Sequence, residues 1–235
     1  MSEKILKFAV IFNTNAAGGQ KIQPINDVIS LLKKKHDVKF FKTQSKEAAI
    51  KVFEELSTQQ FDRLVIAGGD GSVCFAINEI LKKSTLSNKL IGYIPAGTAN
   101  ILQIETKIKG KAEEIYEILI SEKTKRISLG KFNDKYFFLM AGMGFDSKII
   151  ESINVNLKKY LGKIIFSLKG FQHFLFLKNH KMRVEIDNEI IEADWVLCTN
   201  SKYYAGSHSI TNETNIFDNK VIVYIFKDLT RINLI

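Results

Sequence analysis

The stretch that decides the fold is Gly68-Gly69-Asp70-Gly71-Ser72, which follows the apolar run Leu64-Val65-Ile66-Ala67 and precedes a helix-like pattern from Val73 to Leu81. Its glycines allow a sharp turn and a close approach to a ligand. A glycine-rich turn between a strand and a helix presents backbone N–H groups to an anion, most often a phosphate. The carboxylate of Asp70 would repel a bare phosphate, so the turn predicts a metal ion or a reacting hydroxyl nearby. A tight strand–helix turn without a ligand is the alternative.

The composition indicates a folded chain with an excess of positive charge. The 235 residues carry a net charge of +9, with 46% hydrophobic and 11% aromatic residues, which excludes an intrinsically disordered protein. The charge favours nucleotide phosphates, an acidic membrane surface or nucleic acid as partner, and a solvated lysine-rich surface explains it equally well. No nucleic-acid-binding module is recognised, so no nucleic acid is expected.

The cysteines and the apolar runs indicate the compartment. Cys74 and Cys198 form neither a disulfide framework nor a zinc spacing, which is typical of the reducing cytoplasm. The N-terminal residues lack the apolar core of a signal peptide. No uninterrupted apolar run approaches the roughly 18 residues that a membrane span needs. We therefore expect a cytoplasmic protein, at most peripheral on the inner face of the membrane.

Apolar runs alternate with helical patterns along the first half of the chain. The predicted strands are 5–12, 38–41, 64–67 and 90–94, and helical patterns start near Ile22, after Ser45, at Val73 and at Ala112. This alternation is typical of a parallel α/β sheet with right-handed crossovers. Because ligands of open α/β sheets bind beyond the carboxyl ends of the strands, the loops 13–19, 68–72 and 95–100 should converge on one crevice.

The pattern changes to β-rich segments after about residue 120. Strands are predicted at 126–132, 136–141, 182–186, 190–199 and 221–226. Asn133-Asp134 and Asp187-Asn188 are typical hairpin turns, which indicate antiparallel strands. The segment 156–178 reads as a basic amphipathic helix that either covers the sheet or lies on an anionic membrane. We predict an α/β domain over residues 1–123 and a β-rich domain over residues 124–235.

Several motifs in order resemble those of the bacterial diacylglycerol kinase-like lipid kinases, relatives of sphingosine and ceramide kinases. The similar segments are Asn13 to Gly19 (Asn-Pro-x-Ser-Gly in the family, with Thr14 and Ala16 replacing the usual residues), Gly68 to Ser72 (Gly-Gly-Asp-Gly-Thr), Pro95 to Asn100 (Pro-x-Gly-Thr-x-Asn), Gly142 to Asp146 (Gly-x-Gly-x-Asp), and Asn200 with Tyr204-Ala205-Gly206 (Asn…Tyr-Gly-Gly). The resemblance covers essentially the whole chain. It implies an α/β domain of the NAD kinase and diacylglycerol kinase type followed by an antiparallel β-sandwich.

The resemblance also implies ATP and Mg²⁺ as cofactors and a lipid at the membrane surface as substrate. The residues expected around ATP are Asn13, Gly18, Gly19, Thr43, Gly68, Gly69, Asp70, Gly71, Ser72, Gly97, Thr98 and Asn100. Asp70 is the expected catalytic residue, which organises the metal–nucleotide complex or assists the hydroxyl nucleophile. A structural Mg²⁺ is expected at Asn215, Asp218 and Lys220, where Asn219 replaces the family's usual glycine.

Two features depart from the family pattern. Cys74 and Phe75 stand where Asn-Glu is usual. Family members usually continue to a C-terminal Asp-Gly-Glu segment that is associated with the catalytic base, and no matching segment is present here, so we expect a sandwich that is incomplete at its C-terminus. Unpaired strand edges would be compatible with an oligomer.

The functional hypotheses are three. The first is a lipid kinase that transfers the γ-phosphoryl group of ATP to diacylglycerol or a sphingoid base. The second is a catalytically impaired member that binds nucleotide or lipid. The third is an NAD kinase, which shares the Gly-Gly-Asp-Gly loop.

Overall fold

The computed structural model describes residues 4–15, 22–144, 147, 181–204 and 206–227. The chain divides into two compact units. One comprises Met1–Arg126 with Tyr203–His208, and the other comprises Ile127–Lys202 with Ser209–Ile235.

The first unit is built on a four-stranded parallel sheet. Its strands are β1 (Lys7–Asn13), β2 (Asp37–Thr43), β3 (Arg63–Gly68) and β4 (Leu90–Pro95), in the spatial order β2-β1-β3-β4. Its helices are α1 (Ile22–Lys33), α2 (Lys46–Leu56), α3 (Asp70–Leu81), α4 (Ser84–Ser87), α5 (Ile101–Thr106) and α6 (Ala112–Ile120). The predicted parallel α/β sheet is confirmed.

Burial explains why the central strands are continuously apolar. Phe8, Val10 and Phe12 of β1 point into a core shared with α1 and α6, while Ala9 and Ile11 between them are buried as well. A strand covered on both faces has no solvent side, so it lacks the alternation of a half-exposed strand.

The start of a helix was predicted correctly where a capping side chain lies directly before it in sequence. The Ser45 side chain accepts a hydrogen bond from Ala48 N at 3.1 Å and caps α2, as the sequence predicts. The prediction for α3 was wrong by three residues, since the helix begins at Asp70 and not at Val73. The start of α3 was missed because the glycines of the motif indicate a loop. Glycine is nevertheless allowed in the first turn of a helix. The short helices α4 and α5 were not predicted, since they are too short for helical periodicity.

The C-terminal part is strand-rich and antiparallel, as predicted. Its strands are β5 (Gly130–Phe132), β6 (Lys135–Phe137), β7 (Met140–Gly144), β8 (Met182–Ile186), β9 (Glu189–Ala193), β10 (Trp195–Thr199), β11 (Tyr203–Tyr204), β12 (His208–Ser209) and β13 (Ile222–Phe226). Strand β10 lies between β13 and β7, and β5–β6 and β8–β9 form hairpins. Asp187 and Asn188 both have positive φ, 50° and 68°, which confirms the second hairpin turn.

Two predicted strands are each split in the structure. The segment 136–141 is broken at Phe138 and Leu139, two buried residues that lie between β6 and β7. The segment 190–199 is broken at Asp194, whose buried carboxylate lies 3.5 Å from Lys181 Nζ. The basic helix predicted at 156–178 lies outside the described residues.

Candidate functional site

The carboxyl ends of the parallel strands carry most of the predicted site. Asn13 is the last residue of β1 and lies opposite Thr43, the last residue of β2. Gly68 is the last residue of β3 and lies opposite Pro95, the last residue of β4. Because β1 and β3 are neighbours in the sheet, the loops that follow these strands lie side by side at the carboxyl ends of the strands.

The motif Gly68–Ser72 forms the end of β3 and the first turn of α3. Gly69 is the N-cap of this twelve-residue helix, and Ser72 N donates to Gly69 O at 2.9 Å. A Cβ atom built on Gly71 would meet no atom of the described residues within 4 Å. The amide end of α3 therefore faces open space at Gly71. The first amides of a helix lack partners within the helix and carry its positive dipole end, so this space suits an anion.

The loop after β1 is tied to this first turn. Asn13 Nδ2 donates to Ser72 Oγ at 3.1 Å, and Asn13 Oδ1 accepts a hydrogen bond from Asn15 N at 3.0 Å. Asn13 and Ser72, which the sequence predicts as site residues on two different loops, are therefore in contact in the structure. Gly18 and Gly19 lie outside the described residues.

Thr43 supports the β1 loop from the neighbouring strand. The residue is buried, and its hydroxyl donates to Phe12 O at 3.3 Å. Its carbonyl accepts hydrogen bonds from Thr14 N at 2.9 Å and Thr14 Oγ1 at 3.1 Å. The hydroxyl of Thr43 is therefore engaged with the backbone, and Thr43 contributes to the site through the loop that it holds.

The loops after β3 and β4 contact each other through their backbones. Ala96 N donates to Gly68 O at 2.8 Å. A Cβ on Gly69 would lie 2.9 Å from the Cα of Gly97, and a Cβ on Gly97 would collide with the Cα of Gly69. Both glycines are required by this close approach, because any side chain would force the two loops apart.

Asn100 folds the loop after β4 onto itself. Its Oδ1 accepts a hydrogen bond from Gly97 N at 2.9 Å, and its Nδ2 donates to Gly97 O at 3.0 Å. The residue is buried and adopts a left-handed backbone with φ of 51°, a conformation that asparagine tolerates better than most residues. Asn100 therefore shapes the loop, while Thr98 beside it is only partly buried.

Tyr93 is a member of the site that the sequence did not indicate. It is buried, and its hydroxyl donates to Asn100 Oδ1 at 3.3 Å. Burial, and after it the charge of Asp70, raise the pKa of Tyr93 far above its ordinary value, so this hydroxyl remains a donor. An aromatic residue inside an apolar strand is typical of core, and no signal in the sequence distinguished it.

The Asp70 carboxylate accepts hydrogen bonds from the first turn of α5 with both oxygens. Ile101 N donates to Oδ2 at 2.8 Å, and Leu102 N donates to Oδ1 at 3.1 Å. Burial raises the pKa of Asp70 above its ordinary value, and the two amides act in the opposite direction because they favour the charged form. Asp70 thus connects the starts of two helices, a contact that the sequence did not indicate.

The motif residues of the second unit lie in and beside its three-stranded sheet. Gly142 and Gly144 belong to β7 and pair with β10, while Asp146 and Ala205 lie outside the described residues. Asn200 is fully buried and follows β10. Its N donates to Leu139 O at 3.0 Å, and its Nδ2 donates to Ser128 O at 2.7 Å. Asn200 therefore fixes the backbone around it.

The predicted structural metal site is a single turn near the start of β13. Asp218 Oδ2 accepts hydrogen bonds from Asn215 N at 3.1 Å and from Asn215 Nδ2 at 2.7 Å. Asn215 O accepts from Asp218 N at 3.0 Å, and Lys220 O accepts from Thr214 Oγ1 at 3.2 Å. One carboxylate and two carbonyls are the hard oxygen ligands that Mg²⁺ prefers, so the donor chemistry fits. Within the described parts of the chain no three His, Cys, Asp or Glu side chains gather as metal ligands.

The described helices include none that is long and apolar enough to cross a membrane.

Comparison with known proteins identifies a family. The family model described as diacylglycerol kinase catalytic domain matches residues 7–132. A diacylglycerol kinase of Staphylococcus haemolyticus (strain JCSC1435) is 24% identical over 193 residues, which cover 80% of this chain and 57% of the relative. One from Staphylococcus aureus (strain bovine RF122 / ET3-1) is 24% identical over 189 residues, which cover 80% and 59%. The chain thus spans less than two thirds of the length of these curated relatives.

A solved structure shares the fold. The crystal structure of a diacylglycerol kinase from Bacillus anthracis str. Sterne matches with a TM-score of 0.75 at 20% identity, and the match covers 98% of this chain and 77% of that chain.

Proposed function

The chain belongs to the diacylglycerol kinase catalytic domain family, and from this membership we propose that it is an ATP- and Mg²⁺-dependent kinase that phosphorylates a lipid hydroxyl. The observation that carries the proposal is the open space at Gly71, at the amide end of α3 and beside the loops after β1 and β4. The named activity of the relatives supports diacylglycerol as acceptor, with a sphingoid base as the alternative.

The proposed nucleotide site uses the three loops at the carboxyl edge of the sheet. Amides in the first turn of α3 and the hydroxyls of Ser72 and Thr98 donate to phosphate oxygens. Asn13 orients the Ser72 hydroxyl through their 3.1 Å hydrogen bond. Mg²⁺, when bound with ATP, offsets the phosphate charge. Phosphoryl transfer depends mainly on such positioning and on electrostatic stabilisation.

The remaining assignments form part of the same proposal. Residues 1–123 bind nucleotide and residues 124–235 bind the lipid. The turn with Asn215, Asp218 and Lys220 holds a structural Mg²⁺ through its oxygen ligands. The excess of lysine over acidic residues favours a position on the anionic cytoplasmic face of the membrane.

The test combines turnover with nucleotide binding. Purified protein is incubated with ATP labelled on the γ-phosphate, Mg²⁺ and vesicles that contain diacylglycerol or sphingosine, and the lipids are separated and counted. Binding of Mg·ADP is measured by calorimetry on the same sample. Labelled phosphatidic acid or sphingosine phosphate is expected. Mg·ADP binding without any labelled lipid would indicate the catalytically impaired member, and competition by NAD would indicate the NAD kinase.

Ser72→Ala and Ser87→Ala form a matched pair for this test. Ser72 Oγ accepts from Asn13, whereas the exposed Ser87 Oγ donates to Ser84 O at 2.8 Å on α4, at the other end of the unit. Removing a hydroxyl that binds a charged phosphate costs about 1.5–3 kcal/mol, which is about 10- to 150-fold in affinity. Ser72→Ala should weaken Mg·ADP binding by this factor, and Ser87→Ala should not change it. Equal behaviour of the two variants would place the nucleotide elsewhere.

A further inference from the structure

Helix α5 has no cap from its own segment. Asn100 stands at the N-cap position, but its side chain caps no amide of the helix, because it is engaged with both backbone groups of Gly97 and with the Gln103 side chain. The amides of Ile101 and Leu102 find their acceptors on Asp70, 31 and 32 residues away in sequence. The cap of α5 therefore comes from the first turn of α3.

This bond lies where the two loops already contact each other. Gly69 and Gly97 stand backbone against backbone, and Ala96 N donates to Gly68 O. These contacts fix the distance between the loops, and among the described residues the Asp70 side chain alone accepts from the amides at the start of α5. A change at residue 70 would leave the backbone contacts in place and free the start of α5.

We propose that Asp70 is a positioning residue, which holds the loop before α5 against the amide end of α3 and so gives the nucleotide site its shape. The consequence for nucleotide binding rests on the proposed kinase function, whereas the bond between Asp70 and α5 does not.

The same geometry argues against Asp70 as a general base. Each oxygen of Asp70 accepts an amide hydrogen from Ile101 or Leu102, and these two bonds favour the charged carboxylate. A protonated oxygen keeps a lone pair but is a weaker acceptor than a charged one. The uptake of a proton by Asp70 would therefore weaken the contact that holds the loop.

The test uses Asp70→Asn, Asp70→Ala and a matched control. Asp62 Oδ2 accepts a hydrogen bond from Lys7 N at 2.8 Å, near the amino ends of β1 and β3, so Asp62→Asn makes the same substitution at a carboxylate that accepts a backbone amide at the opposite end of the sheet. Three quantities are measured: the Mg·ADP dissociation constant by calorimetry, the hydrogen exchange rates of the Ile101 and Leu102 amides, and the pH dependence of kcat/KM for ATP.

We expect both Asp70 variants to raise the Mg·ADP dissociation constant by about tenfold or more, the effect of losing roughly one charge-assisted hydrogen bond. The two α5 amides should exchange faster, and the acidic limb of the pH profile of Asp70→Asn should stay where it is in the wild type. Asp62→Asn should leave the affinity and the two exchange rates unchanged.

Other results would overturn the proposal. Unchanged or tighter Mg·ADP binding by folded Asp70→Asn would show that the bond does not shape the site. Loss of the acidic limb together with unchanged affinity would make Asp70 a base. Rapid exchange of the Ile101 and Leu102 amides in the wild type would refute the bond itself without any variant. If the wild type binds no Mg·ADP, the kinase function fails, and the exchange rates still decide whether Asp70 holds α5.

Discussion

Replacing Gly71 with alanine should affect the stability of the protein and its affinity for a phosphate group in opposite directions. Gly71 is the second residue of the helix, after Asp70. Its Cβ would meet no atom of the described residues within 4 Å, so this part of the protein has room for the methyl group. If a nucleotide phosphate occupies that room, the methyl group collides with the ligand.

The expected magnitudes have opposite signs for stability and for affinity. Alanine in place of glycine stabilises a helix by up to about 1 kcal/mol, which raises the unfolding temperature of a chain of this size by about 2–4 °C. A methyl group forced into a packed contact costs about 1–3 kcal/mol, which corresponds to about 5- to 150-fold in the dissociation constant. Gly71→Ala should therefore be slightly more stable than the wild type and bind Mg·ADP much more weakly.

Thermal unfolding and calorimetric titration with Mg·ADP measure the two effects on one sample. Ser30→Ala on the exposed face of α1 controls for a gain in helix stability and should leave the affinity unchanged. Gly69→Ala should instead lose stability, since its Cβ would lie 2.9 Å from the Cα of Gly97. Folded Gly71→Ala with wild-type affinity would refute the phosphate site, and a lower unfolding temperature would refute the open space.

Three further predictions concern other parts of the chain. Asn100→Ala should lower the free energy of unfolding by about 2–4 kcal/mol in urea, since it leaves buried loop groups without partners; a loss under about 0.5 kcal/mol would contradict its role in the loop. Gly92→Ala should cost about 1–3 kcal/mol because its Cβ collides with Leu119 Cδ2, and Leu119→Ala in the same chain should recover part of that loss in a double-mutant cycle. Millimolar Mg²⁺ should raise the unfolding temperature of the wild type, and Asp218→Ala should abolish this rise. An equal rise in the variant would show that no structural Mg²⁺ binds at this turn.

The sequence predicts the sheet of the first unit because local signals agree with the global fold. Buried parallel strands are continuously apolar, and the helices between them carry clear periodicity and, at Ser45, a capping side chain. The parallel order of the strands alone predicts that the loops at their carboxyl ends lie close together. The C-terminal strands were located less well, because buried pairs such as Phe138 and Leu139 extend an apolar run through a break in the strand.

The contacts between loops could not be predicted from residue spacing. The acceptor for the two α5 amides lies 31 and 32 residues before them in sequence, and α5 is too short to show a helical pattern. Tyr93 and Asn100 meet only because the loop after β4 folds back on its strand. Which side chains of different loops contact each other is decided by the packing of the folded chain. The order of residues in the sequence does not show it.

The glycines of the motif Gly68–Ser72 differ in what a side chain at their positions would meet. A Cβ on Gly68 would lie 2.6 Å from the Cβ of Ser72, and a Cβ on Gly69 would lie 2.9 Å from Gly97, so both glycines are needed for the fold of the protein itself. Asp70 holds α5. Among the glycines of the motif, Gly71 alone has a Cβ position that meets none of the described atoms within 4 Å. We therefore predict that Gly71 and the hydroxyl of Ser72 face the phosphate, whereas Gly68 and Gly69 serve the fold.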